Sequence, residues 1–395
     1  MAQRLSAAQV TEPHAHVTLM HTQQPRKVRV LVVDDSALVR KAISDALSLD
    51  PEIEVVATAC DPYVAREKIL RFDPDVLTLD LEMPRMNGLT FLRILMKHRP
   101  LPVVVVSSLT QAGSQAALDA MEAGAVDVLA KPDGTMSIGG LGARLAYHVK
   151  AAAASKGFVR RQDAHPTALP LEAGAPPTDP PAAGVPFADR GAQLLAAPHR
   201  IDPRQLVVIG SSTGGVEALR TILPQLPVGL PPIAVVQHIS AYFSRVVAER
   251  LDRACGYRVC EAEEGMTLQP GLCVIAPGER HLAVAWQAGA YRVRLLETPP
   301  VHHCRPAVDV LFRSAAESAG RLAVAALLTG MGSDGAAGMH AIRAAGGRTI
   351  AQDESTSVVF GMPRAAIELG AAEQVVPLAG IAAAIVRAVA SQAAM

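Results

Sequence analysis

Short continuous apolar runs alternate with longer amphipathic stretches along two parts of the chain. In the first part the runs are VRVLVV (28–33), EVVATA (54–59), DVLTLD (75–80), PVVVVS (102–107) and AVDVLA (125–130). Runs this short and this uniformly apolar suit strands buried on both faces of a parallel sheet. Helix-length segments lie between them, such as SALVRKAISDALSLD (36–50) and GLTFLRILMKHR (88–99). Five such β/α units predict a doubly wound sheet. The alternation resumes at 205, with QLVVIG, IAVVQH, GLCVIAP, YRVRLLE, AVAALLTG and GRTIAQD as strands and VEALRTILPQL and PAVDVLFRSAAESA as helices. This second part predicts another α/β domain, and no fixed-period repeat is present.

Between the two parts no apolar period survives. Proline recurs at 166, 170, 176, 177, 180, 181 and 186 among Ala, Gly and polar residues, which reads as a linker, semi-extended where Pro is dense. The first 26 residues lack the apolar core of a signal peptide. The pattern therefore divides the chain into a disordered extension (1–26), an α/β domain (27–150), a Pro/Ala-rich linker (151–203) and a second α/β domain (204–393).

Composition narrows the function classes. Of 395 residues, half are apolar and only 3% are aromatic, and the formal charge is zero. A nucleic-acid binder usually carries a basic face, and no polybasic membrane signal is present either. The five cysteines, Cys60, Cys255, Cys260, Cys273 and Cys304, form no CxxC pair, which speaks against a disulfide framework or a structural zinc site. The longest apolar runs fall short of the ~18–20 residues that a membrane helix needs. A reducing cytoplasm and a monomer are the expected setting.

Chemistry collects at the strand ends. The first predicted strand runs into Asp34 and Asp35, the third ends in Asp80, the fourth in Ser107 and the fifth in Lys131. In an open parallel sheet these ends share one edge. Clustered carboxylates call for a cation, and an all-oxygen trio suits Mg²⁺. Asp80 could then attack a phosphoryl group, with Lys131 and the metal neutralising its oxygens and the Ser107 hydroxyl donating to them. Ser108 is the alternative hydroxyl, pointing to the opposite face. The plainer reading of each Asp alone is a helix cap.

In the second domain, LVVIG runs into Ser211-Ser212-Thr213-Gly214-Gly215, a later strand ends at Gln237-His238, and another leads into Thr329-Gly330-Met331-Gly332-Ser333-Asp334. The glycine-rich turn matches neither GxGxxG nor GxxxxGK[ST] nor GxSxG. By itself it serves equally as a capped helix start. Together, Ser212, His238 and Asp334 could supply nucleophile, base and orienting acid. His199, His281, His302, His303 and His340 compete for the base on spacing alone.

Residues 28–148 resemble response-regulator receiver domains through VVDDSALVRK, LDLEMPRMNG, VVVVSSLT and GAVDVLAKP. That resemblance implies phosphotransfer from a histidine kinase to Asp80, with Mg²⁺ held by Asp34, Asp35 and Asp80 and with Ser107 and Lys131 in support. Residues 205–390 resemble the catalytic domain of chemotaxis protein-glutamate methylesterases through VVIGSSTGGVEAL, VVQHI, VIAPGERHL, LLTGMGSDGAAGM and AQDESTSVVFGMPRAA. This implies a (βα)₅ receiver followed by a Rossmann-like methylesterase domain, both doubly wound parallel α/β. It also implies Ser212 as nucleophile, His238 as base, Asp334 as acid and a Met331 backbone donor to the oxyanion. The expected substrate is a chemoreceptor's glutamate methyl esters, with glutamine deamidation as a second reaction and no cofactor for the esterase. The chain departs from the family pattern at Ala307, where a serine is expected, leaving local hydrogen bonding open. Two rival outputs have weaker support. A DNA-binding domain would need a basic recognition helix, and a nucleotide site at GSSTGG would need a nearby Lys and an acidic ribose partner; neither is read.

Overall fold

The computed structural model describes residues 26–108, 110–131, 138–162 and 201–393. The sequence readings for 1–25 and 163–200, covering nearly all of the extension and most of the linker, lie outside the described residues.

The first domain runs β1 (Val28–Val33), α1 (Ala37–Leu47), β2 (Ile53–Ala59), α2 (Pro62–Phe72), β3 (Val76–Leu79), α3 (Gly88–His98), β4 (Val103–Ser107), α4 (Gln111–Glu122), β5 (Asp127–Ala130), α5 (Ile138–Ala154) and α6 (Lys156–Gln162). Its sheet has the order β2-β1-β3-β4-β5 and is parallel throughout. The helix starts carry their own caps. Ser36 caps α1, the Asp61 carboxylate accepts from Tyr63 and Val64 at 2.9 Å, and Asn87 caps α3 through Thr90 at 2.8 Å. Asp34 and Asp80 are therefore not the helix caps that each might have been alone. Within the stretch read as linker, α5 continues to Ala154 and α6 spans Lys156–Gln162. A run of alanines with no proline before 166 favours helix there.

The second domain runs β6 (Leu206–Ser211), α7 (Gly215–Ile222), β7 (Ile233–Gln237), α8 (Ala241–Ala254), β8 (Arg258–Glu261), β9 (Thr267–Leu268), β10 (Leu272–Ile275), β11 (His281–Gln287), β12 (Ala290–Leu296), α9 (Val308–Ala319), β13 (Ala323–Leu327), α10 (Ala336–Ala344), β14 (Arg348–Gln352), α11 (Met362–Glu368), β15 (Gln374–Val376) and α12 (Leu378–Ala393). A seven-stranded parallel sheet has the order β15-β14-β13-β6-β7-β10-β8. Both faces are covered: Val207 and Ile209 enter one core, and Leu206 and Val208 enter the other. That is why these strands read as unbroken apolar runs.

The YRVRLLE strand does not join this sheet. It forms β12 of a small antiparallel sheet, β11-β12-β9. Gln287 pairs with Ala290 across a two-residue turn, where Ala288 and Gly289 have φ of 49° and 82°. Positive φ at both turn positions is the tight hairpin geometry that parallel strands cannot use. The first strand of the domain, β6, sits mid-sheet with β7 on one side and β13 on the other. The chain reverses direction of growth here, and crevices at such switch points are where open α/β sheets place ligands.

Candidate active site

Ser212 follows β6. The chain turns through Gly214, at φ 76°, before α7 begins at Gly215. A side chain at Gly214 would be strained by that φ and would drive into Val358. The loop is pinned from below by Gln237. Its Oε1 accepts from Ser211 Oγ at 2.6 Å and its Nε2 donates to the Ser212 carbonyl at 2.8 Å. Ser212 N donates to Thr329 O at 3.0 Å, tying the loop to the end of β13. Ser212 is buried, at 2% exposure, and its hydroxyl makes no well-formed hydrogen bond.

His238 follows β7, and Asp334 lies in the loop after β13, so the three residues come from three adjacent strands. His238 Nε2 donates to Asp334 Oδ2 at 2.8 Å. The Asp334 carboxylate also accepts from Val308 N at 2.7 Å and Asp309 N at 2.9 Å. It thus sits on the N-terminus of α9, where backbone N–H groups and the helix dipole favour an anion. This settles the effect of Ala307: it supplies no side-chain cap to α9, and Asp334 does the capping from another loop. Burial acts to raise the Asp334 pKa, but its bond to His238 and these backbone donors hold it below the ordinary carboxylate value.

The other nitrogen of His238 makes no hydrogen bond to the Ser212 hydroxyl. Nδ1 lies 3.5 Å from Cys304 Sγ. Burial acts against protonation of the ring, yet the Cys304 and Asp334 side chains outweigh it and push the His238 pKa up to about 10. A base must be neutral to take a proton, so an upward shift makes the ring a stronger base whose competence grows as pH rises. Removing Cys304 removes a group that favours the charged ring. The Cys304→Ala variant is therefore expected to move the acid limb of the kcat/KM–pH profile to lower pH. An unmoved limb would show that the thiol does not control the ring.

The loop after β13 closes on the serine. A Cβ at Gly330 would lie 2.7 Å from Ser212 Cβ, so only glycine permits this approach. The next carbonyl, that of Met331, accepts from Tyr147 Oη at 2.9 Å. Tyr147 belongs to α5 of the first domain, and burial raises its phenol pKa. Beside Ser212, Thr213 Oγ1 donates to Asp127 Oδ2 of β5 at 3.3 Å, and the same oxygen meets His148 Nδ1 at 2.7 Å. A cavity of about 630 Å³ opens here, lined by Tyr147, His238, His303, Cys304 and Met331 among others.

The competing histidines are engaged elsewhere or exposed. His281 is buried, accepting from Ala307 N at 3.1 Å with its other nitrogen 3.1 Å from Pro299 O. His302 pairs with Asp309 at 3.0 Å. His303 and His340 are exposed, and His199 lies outside the described residues.

At the carboxyl edge of the first sheet, Lys131 Nζ lies 2.7 Å from Asp80 Oδ2 and 3.1 Å from Asp34 Oδ2. Asp34, Asp35 and Asp80 can each aim an oxygen at one point, within 4.8 Å of one another. Burial raises the Asp80 pKa against the pull of Lys131. Ser107 is buried at the end of β4, while Ser108 Oγ turns away to donate to Glu82 at 2.8 Å.

The family model for CheB methylesterase matches residues 207–385, and that for the response regulator receiver domain matches residues 30–138. A protein-glutamate methylesterase/protein-glutamine glutaminase 4 of Anaeromyxobacter dehalogenans (strain 2CP-C) is 47% identical over 365 residues, 92% of this chain and 96% of that protein. The chain belongs to the protein-glutamate methylesterase/protein-glutamine glutaminase family. A second relative, from Syntrophotalea carbinolica (strain DSM 2380 / NBRC 103641 / GraBd1), is 46% identical across 92% of this chain and 98% of that protein. The crystal structure of the Thermotoga maritima CheB methylesterase catalytic domain is 42% identical, covering 46% of this chain and 97% of that one, at a TM-score of 0.46.

In this methylesterase, the sequence reading missed Gln237, Cys304 and Tyr147 as members of the site. Gln237 had a signal, standing beside His238 at a strand end. Cys304 and Tyr147 had none. They reach the site from 66 and 184 residues away in the chain, from His238 and Met331 respectively. Among the described residues no helix is long and apolar enough to cross a membrane.

Proposed function

We propose that Ser212, His238 and Asp334 hydrolyse glutamate methyl esters, and deamidate glutamines, on the cytoplasmic part of a chemoreceptor. Family membership makes the chain a protein-glutamate methylesterase and protein-glutamine glutaminase. The observation that carries the residue assignment is the placement of these three residues just past the ends of three adjacent strands, with the His238–Asp334 bond at 2.8 Å. Ser212 Oγ attacks the ester carbonyl while His238 takes its proton. The carbonyl oxygen becomes the oxyanion beside the Met331 peptide, where a backbone N–H would contribute roughly 3–4 kcal/mol to the transition state. His238 returns the proton to the departing methanol, or to ammonia from a glutamine. Water then hydrolyses the acyl-enzyme by the same steps reversed in role. In the resting geometry His238 faces Cys304, so ring and serine must realign when substrate binds, as catalytic hydrogen bonds often do. Methanol release from a methylated receptor, measured with and without a phosphodonor, is the direct test.

The first domain supplies control. Asp80 accepts the phosphoryl group from a histidine kinase. Asp34, Asp35 and Asp80 fit Mg²⁺, being an all-oxygen set that can converge on one ion, and Mg²⁺ would neutralise charge on the phosphoryl oxygens alongside Lys131. In the unphosphorylated state this domain covers the esterase site. Supporting that reading, Tyr147 occupies the Met331 carbonyl and Asp127 holds Thr213, next to the nucleophile. Lys131 follows β5, which begins at Asp127, so a phosphoryl group that re-engages Lys131 acts on the strand that holds Thr213. The Asp80→Asn variant is expected to lose all stimulation by phosphodonor while keeping the basal rate, and chelating Mg²⁺ should do the same to the wild type. Stimulation that survives Asp80→Asn would sink Asp80 as acceptor.

A further inference from the structure

We propose that His238 and Cys304 form a binding site for a soft divalent cation of the zinc class, and that such a cation inhibits the esterase by capturing the base. The inhibition rests on His238 being that base; the binding does not.

The donor spacing fits the ion. Tetrahedral Zn²⁺ takes sulfur at about 2.3 Å and imidazole nitrogen at about 2.0–2.1 Å, which sets two such ligands about 3.5 Å apart. His238 Nδ1 and Cys304 Sγ are 3.5 Å apart. The imidazole is already prepared for a metal on that side. Asp334 accepts from Nε2 at 2.8 Å and is itself fixed by Val308 N and Asp309 N, the carboxylate–histidine arrangement that orients metal-binding imidazoles and leaves the other nitrogen for the ion. A ring nitrogen of His238, the Cys304 sulfur and an Asp334 oxygen lie within 4.8 Å of one another. The adjoining cavity of about 630 Å³, also lined by His303, admits the ion and the waters that complete its coordination.

Binding forms one nitrogen–metal and one sulfur–metal bond, and any proton on either donor passes to solvent. The chain would then sort two cations by softness. The oxygen trio at Asp34, Asp35 and Asp80 takes hard Mg²⁺, and the nitrogen–sulfur pair takes a thiophilic ion.

The test uses the full chain in excess Mg²⁺, titrated with Co²⁺ as a spectroscopic probe and with Zn²⁺ as inhibitor. The wild type is expected to develop a thiolate-to-cobalt charge-transfer band at one equivalent and to lose methanol release with Zn²⁺. In Cys304→Ser the band should vanish, and Zn²⁺ inhibition, measured against that variant's own rate, should need at least ~10-fold more metal. Asp80→Asn should keep both responses, placing the site outside the receiver. No band in the wild type, or a band unchanged in Cys304→Ser, would overturn the site. A band that depends on Cys304 while methanol release continues undiminished would overturn inhibition through His238 and leave the site standing.

Discussion

Replacing Ser212 with alanine is expected to cut methanol release from a methylated receptor by roughly 10⁴- to 10⁶-fold, the range found when a member of a serine triad is removed. The size follows from the division of labour. Without the oxygen there is no acyl-enzyme, and only substrate binding and the oxyanion site remain to favour hydrolysis by water. The fold should not register the change. The Ser212 hydroxyl has no hydrogen bond of good geometry, only the neighbouring Tyr147 phenol, and losing so weak a contact should cost little. The diagnostic result is therefore lost activity with an unchanged melting temperature. A variant that kept full activity would end the assignment of Ser212. One that lost activity and stability together would point to packing instead of chemistry.

The second large effect is release of the receiver. Excising residues 1–162 is expected to raise the basal esterase rate by about 10- to 1000-fold, the factor set by an open state populated at roughly 0.1–10%. Two kinds of contact join the two domains, and their magnitudes differ. Arg250 of α8 pairs with Asp119 at 3.1 Å and Glu122 at 2.6 Å of α4, but half-exposed ion pairs contribute only about 0–1 kcal/mol each. The apolar contacts are reciprocal. Leu118 of α4 is buried in the hydrolase core, and Phe243 of α8 is buried in the receiver core. A buried side chain of this kind contributes about 1.5–3 kcal/mol, so the apolar pair should dominate closure. Leu118→Asp in the full chain is accordingly expected to raise the basal rate more than Arg250→Ala does, and adding salt should do little. If the truncated enzyme were no faster than the intact one, occlusion would be wrong for this protein and phosphorylation would have to act through β5 on the Thr213 loop alone.

Both predictions turn on residues with very different visibility in the sequence. Asp34, Asp35, Asp80, Lys131, Ser212, His238 and Asp334 all stand just past apolar runs, and each run became a strand of a parallel sheet. Strand ends are local features. A run of buried residues fixes where a strand stops, and the parallel topology then carries all such stops to one edge. The same logic failed for β8, β9, β11 and β15. The edge strands β8 (Arg258–Glu261) and β15 (Gln374–Val376) are only partly buried and lack an apolar run, and β9 (Thr267–Leu268) is two residues long. YRVRLLE, read as a strand, belongs to the small antiparallel sheet and not to the parallel one. Its alternating arginines, Arg292 and Arg294, marked one solvated face, which is an antiparallel signature.

By itself, then, the sequence determined the two α/β domains and the residues at their strand ends, because periodicity and turn chemistry are properties of neighbouring residues. Tertiary structure alone decided that α9 lends its N-terminus to the Asp334 carboxylate, and that Cys304 and Tyr147 enter the site. Those are contacts between segments far apart in the chain. They exist only once burial of both sheet faces has set the helices and loops in place, and no local pattern records which side chains will then meet.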